Sequence, residues 1–464
     1  MERRWKVLIV TAVAVFMGFL DVTIVNVAFP DIEDSFAGSS RSDLSWILNA
    51  YNIVFAALLV PAGRLADLVG RRRMFAGGVV GFIVASVLCG VAPSPEWLVA
   101  ARVLQAAAGA ILVPTSLALL LPEFPAEKRA TAVAIWGATG AVAAALGPSL
   151  GGVLVDQAGW RWVFFVNVPI GLAALLPARR LLREYRDPAG VLPDVLGSLL
   201  LVAGVGALAL GIVKGPEWGW DSARVIGSLA AAALLVPAVV LRSARHRAPV
   251  IELAHFRVRS FAVANGGMFS FSTAFYALLL CNVLFLTQVW GMSILEAGFA
   301  VTPGPLMAAA FAPIGGRLSD RFGQRVVALP GALLFALGCA LFATGLDSSR
   351  DYATEFLIPT ILTGAGVGLS FAAWSSAAVA ELPPERFATG SAVLACVRQI
   401  GAVLGIAIVV AVLEAATPGD AIAGFTDAYT LMALAGGLTT ALALILGRVR
   451  SAASAPGAAA EAAA

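Results

Sequence analysis

The sequence predicts an all-α polytopic membrane protein, and three observations support this fold class. The mean hydropathy of the chain is +0.90, and only 13% of its 464 residues are charged. Apolar runs recur along the whole chain, and a run of about 18 residues or more can cross the roughly 30 Å hydrocarbon core of a bilayer. Because the runs are continuous rather than alternating, the sequence excludes a transmembrane β-barrel.

Fourteen such runs predict fourteen transmembrane helices, arranged as two six-helix bundles in parallel repeat plus a two-helix insert. Residues 1–178 form the first predicted bundle, 179–258 the linker with the two extra helices, and 259–450 the second bundle, followed by a disordered cytoplasmic tail at 451–464. The predicted helices lie near 7–29, 44–62, 74–92, 97–121, 130–154, 162–178, 195–213, 223–241, 260–288, 296–316, 326–346, 355–380, 387–413 and 426–447.

The distribution of basic residues supports this helix count and predicts an orientation. With a cytoplasmic N-terminus, 24 of the 31 lysines and arginines fall on cytoplasmic segments and five fall on outer segments. The remaining two, Arg102 and Arg398, lie within predicted helices. Short cytoplasmic loops of membrane proteins are enriched in basic residues, so both termini are predicted to face the cytoplasm.

Two internal similarities predict the parallel repeat. The segment GRLADLVGRRR at 63–73 resembles GRLSDRFGQR at 316–325, which begins 253 residues later. The segment ATAVAIWGATGAVAAALG, which ends at Gly147, aligns with ATGSAVLACVRQIGAVLG, which ends at Gly405, 258 residues later. Repeated helical halves are typical of secondary transporters, whose substrate path lies between the halves near the membrane midplane.

The repeated loop segment is predicted to form a gate. Its glycines allow a turn or close packing, and Asp67 is predicted to face the positively polarised N-terminal end of a helix in the other half. Arg71 and its two neighbours are predicted to pair with Glu123 or Glu127. The preference of cytoplasmic loops for basic residues would by itself explain Arg72 and Arg73. It does not explain why the aspartate and the two glycines of the segment recur in its second copy at 316–325. The predicted gating residues of this region are Gly63, Asp67, Gly70, Arg71, Glu123, Gly316 and Asp320.

These motifs resemble those of the major facilitator superfamily, and the helix count resembles its fourteen-span drug:proton antiporter branch. LDVTIVNVAFPDI at 20–32 and RVLQAAAGA at 102–110 resemble the signatures of helices one and four, and WRWVFFVNVPIG at 160–171 resembles the start of helix six. LGPSLGG at 146–152 is similar to the antiporter motif of helix five, which adds Gly147 and Pro148 to the gating residues. The chain departs from that motif at Ala134 and Ala143, where the family usually has glycine.

The resemblance implies a proton-coupled antiporter that exports drugs or other amphipathic compounds by alternating access; a proton-coupled nutrient importer on the same fold is the alternative. Asp21 and Arg102 are the implied proton-coupling residues. A charge in the membrane interior is costly and usually functional, although a structural ion pair is the other interpretation. The implied setting is a bacterial cytoplasmic membrane, where the protein acts as a monomer on protons and a small-molecule substrate.

Polar and aromatic residues inside the predicted helices are candidate substrate ligands. Trp46 is alternatively an interfacial anchor. Arg398, Gln399 and Glu414 are predicted either to contact a cationic substrate or to line water. The full candidate set is Asn26, Trp46, Asn49, Asn52, Asn265, Tyr276, Asn282, Arg398, Gln399 and Glu414.

An enzyme and a nucleic-acid-binding protein both lack support in the sequence. The two histidines, His246 and His255, lie in one basic loop, and no metal-ligand spacing, nucleophile elbow or phosphate-binding loop is present. No basic patch interleaved with aromatic residues occurs. The four cysteines lie in apolar segments, as buried free cysteines do. No cofactor or metal is therefore predicted.

Overall fold

The computed structural model describes residues 2–186, 192–348, 350–382, 386–416 and 421–446. These residues contain fourteen helices long and apolar enough to cross a membrane, as predicted. The helices are α1 (Arg3–Ser35), α2 (Arg41–Val69), α3 (Arg71–Gly90), α4 (Pro95–Glu123), α5 (Ala126–Ala158), α6 (Trp162–Leu181), α7 (Val195–Trp218), α8 (Ala223–Arg245), α9 (Arg259–Gln288), α10 (Ile294–Val301 and Pro303–Phe322), α11 (Gln324–Gly345), α12 (Tyr352–Val379), α13 (Phe387–Ala415) and α14 (Ala421–Ile445). The predicted tail at 451–464 lies outside the described residues.

Several helices extend beyond the apolar runs that predicted them. Helix α1 continues past residue 29 through the polar segment DIEDS and ends at Ser35. Helix α5 likewise spans Ala126–Ala158 rather than 130–154. Hydropathy marks the part of a helix that lies in hydrocarbon, whereas backbone hydrogen bonds continue into the polar interface.

The two halves repeat the same helix packing. Helix α1 packs against α5 and α6, as α9 packs against α13 and α14, and the pairs α3–α4 and α11–α12 correspond in the same way. A Cβ atom at Gly147 of α5 would lie 2.0 Å from Thr23 Oγ1 of α1. A Cβ atom at Gly405 of α13 would lie 2.1 Å from the carbonyl oxygen of Thr273 in α9. Small residues therefore let equivalent helices approach closely in both halves, which confirms the predicted parallel repeat.

The two-helix insert covers one seam between the halves. Helices α7 and α8 pack against each other, and α7 also packs against α2 of the first half and α13 of the second. The ammonium of Lys214 in α7 is buried and lies 2.7 Å from Asp43 Oδ1 in α2. Arg242 Nε in α8 lies 2.7 Å from Asp194 Oδ1, just before α7. The insert is thus tied both to itself and to the first half by ion pairs.

The two sides of the membrane differ in charge and in how the halves meet. We call the side with the arginine-rich segments 71–73 and 179–186 the basic face, and the side with Glu33, Asp43 and Glu217 the acidic face. At the acidic face the halves pack tightly, because α5 of the first half contacts the first segment of α10 in the second. A cleft between the halves lies deeper in the protein.

Candidate functional site

A buried ion pair joins α1 and α4 in the first half. The side chains of Asp21 and Arg102 are 0% and 1% exposed, and Arg102 Nη1 donates to Asp21 Oδ2. The other carboxylate oxygen accepts from Gln105 Nε2 at 2.8 Å and from Asn167 Nδ2 at 3.0 Å. The two residues that the sequence singled out together are therefore in direct contact, with every Asp21 oxygen hydrogen-bonded.

The guanidinium of Arg102 is enclosed on its remaining sides as well. Its Nε donates to the carbonyl oxygen of Ile47 at 3.1 Å, and Nη1 also donates to Gln105 Oε1 at 2.6 Å. The ring centroid of Tyr51 lies 4.1 Å from the guanidinium carbon, a geometry in which the aromatic face attracts the cation. Two opposite charges in a protein interior are stable only when their remaining donors and acceptors are also hydrogen-bonded, because each ion has lost its hydration.

Sequence reasoning missed three members of this cluster. Gln105 also donates to Ser86 Oγ at 2.9 Å, and Asn167 completes the coordination of Asp21 from α6. The signal for both was available, since each is a polar residue in an otherwise apolar motif already quoted, RVLQAAAGA and WRWVFFVNVPIG. Tyr51 carried no such signal, because an aromatic residue in an apolar helix is common.

The cleft between the halves is narrow in this conformation, with a cavity volume of about 30 Å³. Helices α1, α2 and α4 form one wall, and α9 and α13 form the other. Tyr51 separates the cleft from the ion pair, since its ring lines the cleft and also covers Arg102. The lining residues are Ala14, Val15, Gly18, Phe19, Val22, Tyr51, Phe55, Gly109, Leu112, Val113, Tyr276, Arg398 and Gln399.

Three of the ten predicted substrate ligands, Tyr276, Arg398 and Gln399, line this cleft. The remaining seven lie elsewhere in this conformation. Asn282 accepts a 2.9 Å hydrogen bond from the Tyr429 hydroxyl inside the second half, and Glu414 is exposed near the acidic face. The other five are Asn26, Asn49, Asn52 and Asn265, all buried in their helices, and Trp46, which packs near α7 and α13.

The cleft also contains aromatic residues that the sequence analysis did not select. Phe19, Tyr51 and Phe55 come from α1 and α2, and the rings of Tyr51 and Phe55 are stacked with centroids 5.9 Å apart. A helix that is apolar all round gives no stripe that identifies its inward face. Helix rotation, which only the packing defines, therefore decides which side chains reach the cleft.

The predicted motif in α5 forms the contact between the halves at the acidic face. A Cβ atom at Gly298 of α10 would lie 2.5 Å from the carbonyl oxygen of Pro148. A Cβ atom at Gly152 of α5 would lie 3.1 Å from the carbonyl oxygen of Ile294. The backbones of the two halves are therefore as close here as glycine alone allows.

The loop motif at the basic face keeps its described contacts within the first half. Gly70 has a φ of +123° and turns the chain from α2 into α3, and a Cβ atom at Gly63 would lie 3.2 Å from Pro114 Cβ. Asp67 Oδ1 accepts from Arg71 Nε at 2.7 Å, and Arg71 Nη1 donates to the Ala118 carbonyl oxygen at 3.2 Å. The expected contact of Asp67 with the other half is not formed in this conformation, in which Asp67 pairs with Arg71 instead.

The arginines of this motif were expected to pair with Glu123 or Glu127, and the side chain of Glu127 lies outside the described residues. Glu123 lies 3.3 Å from Arg3 rather than beside Arg71, since the basic-face ends of α1 and α4 are adjacent. Glu184 lies beside the arginine cluster as well and accepts from the Arg72 backbone N–H at 3.0 Å. In the second copy, Gly316 has open space around a built Cβ atom. The side chain of Asp320 lies outside the described residues.

Comparison with known proteins identifies the family. The sequence profile of the Major Facilitator Superfamily matches residues 11–280 and, separately, residues 262–463. The chain belongs to the Major Facilitator Superfamily. The protein is a multi-pass membrane transporter rather than an enzyme.

Curated relatives of this superfamily member have names that refer to drug resistance and export. The Multidrug resistance protein Stp of Mycobacterium tuberculosis (strain CDC 1551 / Oshkosh) is 36% identical over 88% of this chain and 75% of its own length. The Probable actinorhodin transporter of Streptomyces coelicolor is 36% identical, with coverages of 94% and 78%. The Tetracenomycin C resistance and export protein of Streptomyces glaucescens is 35% identical, with coverages of 90% and 77%.

A solved structure shares the fold. The crystal structure of a bacterial homolog to the human lysosomal transporter Spinster, in an inward-facing and unoccupied conformation, matches with a TM-score of 0.65. The two chains are 21% identical, and the match covers 96% of this chain and 97% of the other.

The histidines of this transporter do not form a metal site. Within the described part of the chain, no group of three or more potential ligands among His, Cys, Asp and Glu could hold a metal ion. The His255 imidazole is buried beside Phe261, and its Nε2 lies 3.0 Å from Thr389 Oγ1. Burial lowers the pKa of His255 below its ordinary value, because the charged form loses hydration there.

Proposed function

We propose that the protein is a proton-coupled antiporter that exports drugs or similar amphipathic compounds from the cytoplasm by alternating access. The observation that carries the proposal is the enclosed Asp21–Arg102 pair, which one tyrosine separates from a cleft between two repeated halves. The drug-resistance names of the relatives support export of such compounds rather than uptake of a nutrient.

Proton coupling follows from the cost of breaking the buried pair. A proton on Asp21 removes the negative charge and leaves Arg102 as an uncompensated charge in the protein interior. Losing one partner of a buried pair costs about 3–5 kcal/mol. Protonation therefore disfavours this arrangement of α1 and α4 and favours one in which Arg102 finds another partner or water. The proton and the conformational change become linked in this way.

Alternating access uses contacts at both faces of the membrane. In this conformation the acidic face is closed by the Pro148–Gly298 contact, and the protein is therefore proposed to face inward. Asp67 and its repeat Asp320 are proposed to form the corresponding contact at the basic face when the protein faces outward. One chain supplies the cleft and both gates, so the transporter is proposed to act as a monomer.

The proposed orientation places the basic face and both termini in the cytoplasm. We expect a membrane-impermeant thiol reagent to label Ser348→Cys from outside intact cells, whereas Arg183→Cys and Arg245→Cys react only after permeabilisation. The four native cysteines are buried, so the wild-type protein is the unlabelled control. Labelling of Arg245→Cys in intact cells would contradict the proposed orientation.

The proposed export is tested in a bacterial host that lacks its own major efflux systems. We expect the wild-type protein to raise the inhibitory concentration of at least one amphipathic antibacterial compound several-fold in a growth panel. Asp21→Asn should give no protection at equal expression. Asp34→Asn, the same change at an exposed position of the same helix, should protect like the wild type. Unchanged sensitivity to every compound would refute the export function.

A further inference from the structure

Two arginines lie inside the membrane-spanning bundles, and their electrostatic surroundings differ. Arg102 is paired with Asp21 and enclosed by hydrogen bonds. Arg398 in α13 takes part in none of the ion pairs or hydrogen bonds formed among the described residues, and its buried Nε has no partner. The first charge is therefore neutralised by the protein, and the second is not.

The surroundings of Arg398 are aromatic rather than acidic. Its guanidinium carbon lies 5.9 Å from the ring centroid of Phe19 and 6.0 Å from that of Phe371. None of the thirteen described residues that line the cleft is acidic. Asp21 is already neutralised by Arg102 and does not line the cleft.

Two further polar atoms at the cleft lack partners. The Oε1 atom of Gln399 and the hydroxyl of Tyr51 are buried without a hydrogen bond, although both residues line the cleft. Buried polar groups are normally hydrogen-bonded, so these two atoms are free to form hydrogen bonds with water or with a molecule in the cleft. The cleft thus offers a positive charge, a carbonyl acceptor and a hydroxyl beside aromatic walls.

We propose that the cleft selects planar aromatic compounds that carry an anionic oxygen, such as a carboxylate or phenolate, with Arg398 as the counter-charge. This inference rests on the proposed export function and names its substrate class. The planar fork of a guanidinium matches a carboxylate, and charge-assisted hydrogen bonds are the stronger ones. Phe19, Tyr51 and Phe55 supply surfaces on which an aromatic skeleton packs.

A cationic amphipathic compound lacks these advantages in the same cleft. It would place a second positive charge beside Arg398 in a region of low dielectric, where like charges repel strongly. Glu414, which the sequence predicted either to contact a cationic substrate or to line water, is exposed at the acidic-face end of α13 and does not line the cleft.

The test compares two dyes that share a xanthene skeleton and differ in charge. Fluorescein is used in its ionised form, tetramethylrhodamine methyl ester is the cationic partner, and binding to the purified full-length protein in lipid nanodiscs is measured by fluorescence anisotropy. We expect the wild type to bind fluorescein about tenfold more tightly or better, the ratio expected from one hydrogen bond to a charged group. Arg398→Gln should remove this preference, whereas Arg398→Lys should keep its sign.

Arg224→Gln is the matched control variant. Arg224 is also an arginine over an aromatic ring, 5.6 Å from the Trp218 centroid, but it lies in α8 of the insert and not at the cleft. Its replacement should leave the preference unchanged. Tighter binding of the cationic dye, an anionic preference that survives in Arg398→Gln, or binding of neither dye would each overturn the proposal. The growth panel uses neither dye and decides separately whether export itself fails.

Discussion

Asp21→Asn is expected to abolish substrate accumulation driven by an imposed pH gradient, because asparagine keeps the shape of the protonated acid but cannot titrate. The substitution also leaves the buried Arg102 without a counter-charge. This costs about 3–5 kcal/mol in the conformation in which wild-type Asp21 pairs with Arg102. The measurement is uptake of substrate into proteoliposomes with inside-out transporters, with and without the gradient. Downhill movement and substrate binding should persist.

The control variants separate coupling from folding. Asp34→Asn makes the same substitution at an exposed site of α1 and should transport like the wild type. Asp21→Glu keeps a titratable carboxyl and should retain part of the gradient dependence. Accumulation against a gradient that survives in well-folded Asp21→Asn would remove Asp21 from the coupling step.

Gly298→Val is expected to disfavour closure of the acidic face and thereby reduce transport by about 5-fold or more. Its first added carbon would lie 2.5 Å from the Pro148 carbonyl oxygen and 3.2 Å from the Gly152 Cα atom, so the two halves must separate. Overpacking of this kind costs about 1–3 kcal/mol. Because the cost arises only when the acidic face is closed, that state loses about 5- to 150-fold in population.

Accessibility of the cleft gives the direct readout for this variant. In the Gly298→Val background, a cysteine at Gly18 in the cleft should react with an impermeant thiol reagent from the acidic face. Gly437→Val in α14 is the control. It makes the same glycine-to-valine substitution in a helix, but a Cβ atom at this position meets nothing within 4 Å. Normal transport by Gly298→Val would show that the halves need not approach this closely.

The two variants test connected parts of the molecule. Asp21 lies two residues before Thr23, which packs against Gly147 of α5. The next residue, Pro148, contributes the carbonyl oxygen that meets Gly298 in the other half. A rearrangement of α1 around the ion pair therefore reaches the contact between the halves through directly packed atoms.

The sequence by itself determined the membrane class, the fourteen helices and the repeat, and it singled out Asp21 and Arg102 as charges within the membrane. These features depend on local properties: the length of an apolar run, and a charge within it that hydrocarbon does not tolerate. The motifs added Gly147 and Pro148, since close helix contacts need small residues wherever they occur. Helix ends such as Ser35 were less predictable, because a helix continues into the polar interface.

Only the tertiary structure decided which side chains share the cleft and which charges have partners. Helices that face both lipid and protein are apolar on every side, so their sequence does not record their rotation. Asn282 therefore turned toward Tyr429 instead of the cleft, whereas Phe19 and Tyr51 entered it. The same reason explains why the two intramembrane arginines differ. The sequence shows each only as a cation within an apolar helix, whereas the packing places an acid beside Arg102 and none beside Arg398.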